Sequence, residues 1–379
     1  MWKRGWLYHA TDFQSLMYPC FIVCRILGTL PYKINASTFE ISKPYYILST
    51  VIVCVIGCIY NLVLIYNLIS KINSRNVTRT LEALCYHICS SFILIITHIL
   101  SGPRMRLLQT ILKISSKLSS KSYQKLSRLI YVKDIWGTTT VIVQTSIYFY
   151  KISIFDYSNI LNTILAIYYI ILMFQTSMLY INCVCVLKAC FKSINDNLEH
   201  MQRLVVNDTK SCVPTFIGHL QRNQFFLIAE LKALKKWHLM ISDSVQTLNI
   251  IFIRWQDNGI LISFDRHLFD TSIMALAYHI GHLVFIVWVC ETGKNQAQEI
   301  RTTIHDLLNN TSDEQIKDEV IKLQVFSLQI LHRKNIFFAK GLTIDATLLT
   351  TMSGSITTYM LILIQFLITS HSCDKKSVF

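Results

Sequence analysis

Stretches of about 20 largely apolar residues recur along this chain, and a stretch of that kind has few places to go. Coiled as a helix it covers roughly 30 Å, the thickness of the hydrocarbon core of a bilayer. In lipid the backbone must satisfy its own hydrogen bonds, which leaves helices or closed barrels. These blocks lack the strict alternation of barrel strands. The composition agrees: of 379 residues, 52% are hydrophobic and 15% charged, too apolar for one soluble domain. The fold class read here is an all-α membrane protein with seven transmembrane helices. Spans are predicted at 45–69, 84–101, 135–155, 160–186, 246–264, 271–290 and 342–369.

Charge orients the bundle. The net charge of +14 does not point to nucleic acid, because the basic residues are spread over several segments between apolar blocks. Four segments on one side (before span 1 and after spans 2, 4 and 6) hold 28 Lys and Arg, and the other side holds 7. Cytoplasmic loops are the basic ones. The bias predicts a cytoplasmic N-terminus and an extracellular C-terminus, inverted relative to a G-protein-coupled receptor. No cleavable signal is expected, since Arg25 interrupts the apolar run that follows Lys3 and Arg4. The expected organisation is a cytoplasmic segment 1–44, spans 1–6 with a ligand-binding bundle over 45–290, a cytoplasmic loop and helix over 291–341, a last span over 342–369, and an outer tail 370–379.

Span 5 is the least apolar. Arg254 and Asp257 fall within it, and Asp265, Arg266 and Asp270 follow. A charge at mid-membrane costs ~2.5–3.5 kcal/mol on insertion scales. Arg254 and Asp257 are three residues apart on a helix and can pair. Without insertion of span 5 the C-terminus would turn inside. The 12 cysteines do not form a disulfide pattern: on this topology only Cys373 is extracellular. Cys54/Cys58 and Cys85/Cys89 are each one helical turn apart, and small soft packing residues are the favoured reading. A sequon at Asn76-Val77-Thr78 falls in a very short outer loop. There is no zinc spacing, nucleotide loop or nucleophile motif, so neither enzyme chemistry, metal nor cofactor is expected.

Span 7 carries the most information. On a wheel of about 100° per residue, Thr347, Thr351, Thr358, Gln365 and Thr369 fall within an arc of about 40° on an otherwise apolar helix. Gly354 and Ser372 flank that arc. The stripe is about 33 Å long at ~1.5 Å per residue, close to a membrane thickness. Such a stripe suits a pore lining, offering oxygen atoms to a hydrated ion. It equally suits tight helix–helix contact. Ser353 and Thr357 lie off it.

The end of that span reads Thr358-Tyr359-Met360-Leu361-Ile362-Leu363-Ile364-Gln365-Phe366. A Thr-Tyr pair, five apolar residues and Gln-Phe resembles the signature of the insect gustatory receptors, within the insect chemoreceptor superfamily. Upstream, Phe326 to His332, then Phe337, Gly341, Leu342 and Asp345, resemble the helix and approach that precede the family's last span. Leu16, Pro19, Arg25, Gly28, Pro31 and Tyr32 resemble its pre-span segment, and Trp237, His238 and Asn249 its approach to span 5. Beyond Asn249 the chain departs, with charges where the family is apolar. The resemblance implies a ligand-gated, non-selective cation channel of four subunits, homomeric or heteromeric, around a pore lined by the last helix. It places Gln365 on the conduction path and Phe366 at the gate, with Thr358, Ile362 and Thr369 along the same helix. Tyr359, Gly341 and Asp345 would be signature and structural positions. The expected setting is the plasma membrane of gustatory neurons.

The same resemblance puts a tastant pocket between spans 2 and 6. Polar and aromatic candidates are Trp136, Gln144 and Tyr148 in span 3, Tyr168 and Gln175 in span 4, and His279 and His282 in span 6. Trp136 also suits an interfacial belt. His279 and His282 suit a metal or proton site, or an interhelical hydrogen bond, which is favoured. Sugar receptors of the family carry glutamate after the Thr-Tyr pair. Met360 stands there, which favours the divergent bitter-type set. Two alternatives stay open: a seven-helix G-protein-coupled chemoreceptor, and a receptor copy made non-functional by its charged span 5. Against the first, Pro19, Pro31, Pro44, Pro103 and Pro214 all lie outside the predicted spans.

Overall fold

The computed structural model describes residues 10–34, 38–71, 88, 90–150, 157–210, 217–256, 269–309, 335, 337–339 and 342–376. Helix α1 (Phe13–Ile26) opens with a capping box: Asp12 accepts from the Ser15 amide at 2.7 Å, and Ser15 Oγ accepts from the Asp12 amide at 3.2 Å. The chain leaves α1 through Gly28, whose φ of +72° is the left-handed turn that glycine adopts without strain. A hairpin follows, β1 (Tyr32–Ile34) with β2 (Phe39–Ile41), in antiparallel register Tyr32↔Ile41. Then come α2 (Lys43–Lys71), α3 (Ser90–Ile99), α4 (Ser101–Ser115) and α5 (Ser120–Tyr150). Three long helices succeed them, α6 (Tyr157–Lys210), α7 (Ile217–Gln256) and α8 (Phe269–Asn309). A second hairpin, β3 (Phe338–Ala339) and β4 (Leu342–Thr343), leads into the last helix, α9 (Ala346–Lys376).

Among the described residues, three helical stretches are long and apolar enough to cross a membrane by themselves: Lys43–Val63, Thr163–Leu204 and Ala346–Phe366. Helix α6 is the axis of the molecule. Its 54 residues reach roughly 80 Å, far more than a bilayer requires. It packs most extensively on α8, and also on α1, α4, α5 and α7.

The reason for this pairing is written in α8. Ile286, Cys290, Gly293, Ala297, Ile300, Ile304 and Leu307 are all buried and alternate at four- and three-residue steps. That spacing gives a continuous apolar seam along one helix face. On α6 the facing side chains include Tyr180 against Cys290, Val184 beside Gly293, and Asn195, whose Oδ1 accepts from Thr303 Oγ1 at 2.6 Å. Helices α4 and α7 close the bundle, with Trp237 Nε1 donating to the Ile114 carbonyl at 3.1 Å.

Where they are described, the stretches treated as loops in counting charges are therefore largely helical. They are α4, the start of α5, the end of α6, most of α7 and the end of α8. Most of their charges occupy the outer faces of amphipathic helices, with Arg104 and Lys133 as buried exceptions. Span 5 is helical as far as Gln256, and its remainder, with Asp257 and Asp265, lies outside the described residues. So do the sequon at Asn76, Cys85, Cys89, Phe326 to His332 and Gly341, and the side chains of Tyr148, Arg254, Asp270, His279 and Cys373.

Candidate functional site

Helix α9 stands apart from the rest of the chain. From Ser353 to Thr369 every described side chain is exposed. Phe366 is 76% exposed, Tyr359 69% and Ile362 49%, although all are large and apolar or aromatic. Exposure on all faces follows from position alone, since only the first two turns touch the bundle. Leu348 and Leu349 pack against the central core there.

The polar stripe along α9 has a defined hydrogen-bond sense. Thr351 Oγ1 donates to the Thr347 carbonyl at 2.6 Å, Thr358 Oγ1 to the Gly354 carbonyl at 2.9 Å, and Thr369 Oγ1 to the Gln365 carbonyl at 2.8 Å. Each hydroxyl proton is thus committed to the helix's own backbone one turn back. What each threonine offers outward is an oxygen lone pair. A row of acceptors suits a cation and gives an anion nothing. Gln365 is exposed on the same stripe, next to Phe366.

Three contacts hold the base of α9. Phe337 is buried beside Gly293 of α8 and Val184 of α6. The Ile344 amide donates to the Phe337 carbonyl at 2.8 Å, fixing the hairpin that leads into the helix. Asp345, one residue ahead of the helix, uses both carboxylate oxygens. Oδ1 accepts from the Thr347 amide at 3.1 Å and from the Thr347 hydroxyl, and Oδ2 lies 3.5 Å from Lys294 Nζ of α8.

The ligand-pocket candidates fall into separate surroundings. Tyr168 and Gln175, two turns apart on α6, both turn toward α1. Tyr168 donates to the Leu27 carbonyl at 3.0 Å, and Gln175 Nε2 donates to the Cys20 carbonyl at 3.0 Å. Trp136 on α5 is 61% exposed. Gln144, further along α5, is half-buried, and its Oε1 is buried without a hydrogen-bond partner among the described residues. His282 is half-buried on α8. Cys54 and Cys58 share an exposed face of α2.

Two buried polar centres were not anticipated from sequence. Lys133 Nζ lies 2.6 Å from Asp134 Oδ1 and donates to Asn182 Oδ1 at 2.6 Å, joining α5 to α6. Arg104, 1% exposed, donates from Nη1 to the Thr29 carbonyl at 3.3 Å and lies 6.0 Å from the Phe252 ring centre. The adjacent Lys133-Asp134 pair at the edge of span 3 was a signal that could have been followed. Arg104 had no such signal, since its partners lie far away in sequence.

The architecture is that of a many-helix membrane receptor. Its backbone matches the structure of the insect olfactory receptor OR5 from Machilis hrabei, with a TM-score of 0.63 over 93% of this chain and 98% of that one at 9% identity. The structure of the same receptor in complex with eugenol matches with a TM-score of 0.62 at 12% identity. At such identities the likeness speaks for the fold. The profile of the 7tm chemosensory receptors matches residues 17–370, and the chain belongs to that family. Among individual relatives, gustatory receptor 28a of Drosophila melanogaster is 37% identical over 110 residues, which are 29% of this chain and 24% of that protein. Gustatory receptor 28b of the same fly is 43% identical over 96 residues, 24% of this chain and 19% of that one. The match thus spans a quarter or less of the length of these two relatives.

Proposed function

We infer that this chain is a gustatory receptor working as a ligand-gated, non-selective cation channel. Four subunits, of this chain alone or with related chains, would surround a pore lined by α9. The observation that carries this reading is the isolation of α9. Lipid can cover Ile356, Leu361 or Ile368, but not the amide of Gln365. Moving an unpaired amide out of water costs ~2–7 kcal/mol. The stripe of Thr351, Thr358, Gln365 and Thr369 requires water or protein, while the other faces require apolar cover. A ring of like helices around a water-filled axis supplies both. The outward lone pairs of the threonines support cations as the permeant species.

The sidedness follows the positive charge: N-terminus in the cytoplasm, seven crossings, C-terminus outside. The setting is the plasma membrane of gustatory neurons, and the ligands are bitter-type small molecules. Trp136, Gln144, Tyr148, Tyr168, Gln175, His279 and His282 are the pocket candidates. Gln144 has the best support, because its buried carbonyl oxygen is available to a ligand donor.

The test is whole-cell recording from cells expressing the full chain, challenged with a panel of plant alkaloids. The expected result is a current carried by sodium and by potassium, unaffected by G-protein inhibition. It should be blocked by a thiol reagent once Gln365 is replaced by cysteine. A response abolished by G-protein inhibition would overturn the channel reading.

A further inference from the structure

We propose that Lys294 is a positioning residue for gating, holding the base of the pore helix through Asp345, so that this ion pair helps set the balance between closed and open channels. The proposal rests on the channel reading above. Its physical basis is that α9 has so few attachments. Beyond Met352 no described side chain of α9 is covered by the chain, so what the bundle does to the helix passes through its base. That base consists of Leu348 and Leu349, the Phe337 anchor and the Lys294–Asp345 pair at 3.5 Å. The apolar contacts have no preferred direction. The ion pair does, and it is shielded, with side-chain exposures of 22% for Lys294 and 13% for Asp345.

Two features make the pair a coupling element as well as a clamp. First, α8 is one unbroken helix from Phe269 to Asn309. His282, a pocket candidate, and Lys294 are therefore joined by a rigid rod of roughly 18 Å. A ligand that shifts the upper part of α8 shifts the ammonium of Lys294 with it. Second, the carboxylate that meets Lys294 also receives the Thr347 amide, so the start of α9 is tied to the same group. Lys294 has a second acceptor at 3.6 Å, Glu291 Oε2, one turn back on its own helix. An ammonium with two carboxylates in reach has somewhere to go when Asp345 moves away. The pair then has two arrangements, as a switch requires.

The experiment uses the full chain in voltage-clamped cells, with surface protein measured in parallel. Asp345→Asn keeps an oxygen for the Thr347 amide and removes only the charge. Lys294→Glu and Asp345→Lys reverse it, and the double variant restores opposite signs. The expected result is that each single variant shifts the half-maximal ligand concentration, or the unliganded current, by about fivefold or more at unchanged surface level. Lys294→Arg should behave as wild type. The double reversal should return to within about twofold of wild type, the signature of a direct pair. Single variants that leave gating unmoved while wild type conducts would overturn the proposal and spare the channel reading. Singles that change only surface level, or a double reversal no better than the singles, would also overturn it. Wild-type protein at the surface that carries no ligand-gated current would remove the channel reading itself, and the proposal with it.

Discussion

A Cβ on Gly293 would stand 3.1 Å from the ring of Phe337, so the close approach of Phe337, just ahead of β3, to α8 leaves no room for a large side chain there. This contact yields the first prediction. Gly293→Ala should be near neutral, because the helix propensity gained, about 1 kcal/mol, offsets a slight retreat of the ring. Gly293→Leu should expel Phe337 and lower the melting temperature in detergent by several degrees. Differential scanning fluorimetry of the purified chain would separate the two.

The Lys133–Asp134–Asn182 centre gives the second. Asp134→Ala leaves a buried ammonium without its counter-ion and should destabilise by ~3 kcal/mol. Adding Lys133→Met removes the stranded charge and should recover most of that loss. Thermal denaturation of the single and double variants is the measurement. A double variant no better than Asp134→Ala would mean that the ammonium is not what the carboxylate serves.

The third concerns α9, the proposed pore lining. Phe366→Ala and Gln365→Ala should leave surface level unchanged, because neither side chain packs within the chain. Phe366→Ala should raise the unliganded current several-fold by removing an apolar constriction. Thr358→Val, which keeps shape and removes the oxygen, should reduce sodium conductance. Currents identical to wild type in all three would remove α9 from the permeation path.

The fourth is sidedness. An epitope at the N-terminus should be stained only after permeabilisation, and one at the C-terminus in intact cells. Both ends hidden would mean that the segment around Arg254 and Asp257 stays out of the membrane.

How much of this was legible in the sequence varies by element. The helical class was, because runs such as Ile47 to Tyr66 and Leu361 to Ile368 lack the alternation of barrel strands, and a helix is the remaining stable form in lipid. The polar stripe of α9 was also legible, since one helix's periodicity requires no partner. The reach of α6 and α8 beyond the spans was not. Their charged faces dominate a hydropathy average, although the seam from Ile286 to Leu307 is visible once the helix is known. Least legible were contacts between helices remote in sequence. That Gln175 would meet Cys20, or Lys294 meet Asp345, depends on how whole helices dock. The spacing of those residues carries no trace of it.

The exposure of α9 has a consequence for inheritance. A substitution at an exposed α9 side chain such as Gln365 or Phe366 removes no side-chain packing within its own chain, so such a chain should fold and reach the surface. The defect is expressed in the company it keeps. If four subunits surround one pore as proposed, one altered copy would spoil an assembly whose other members are sound, and a heterozygote should lose more than half of its response.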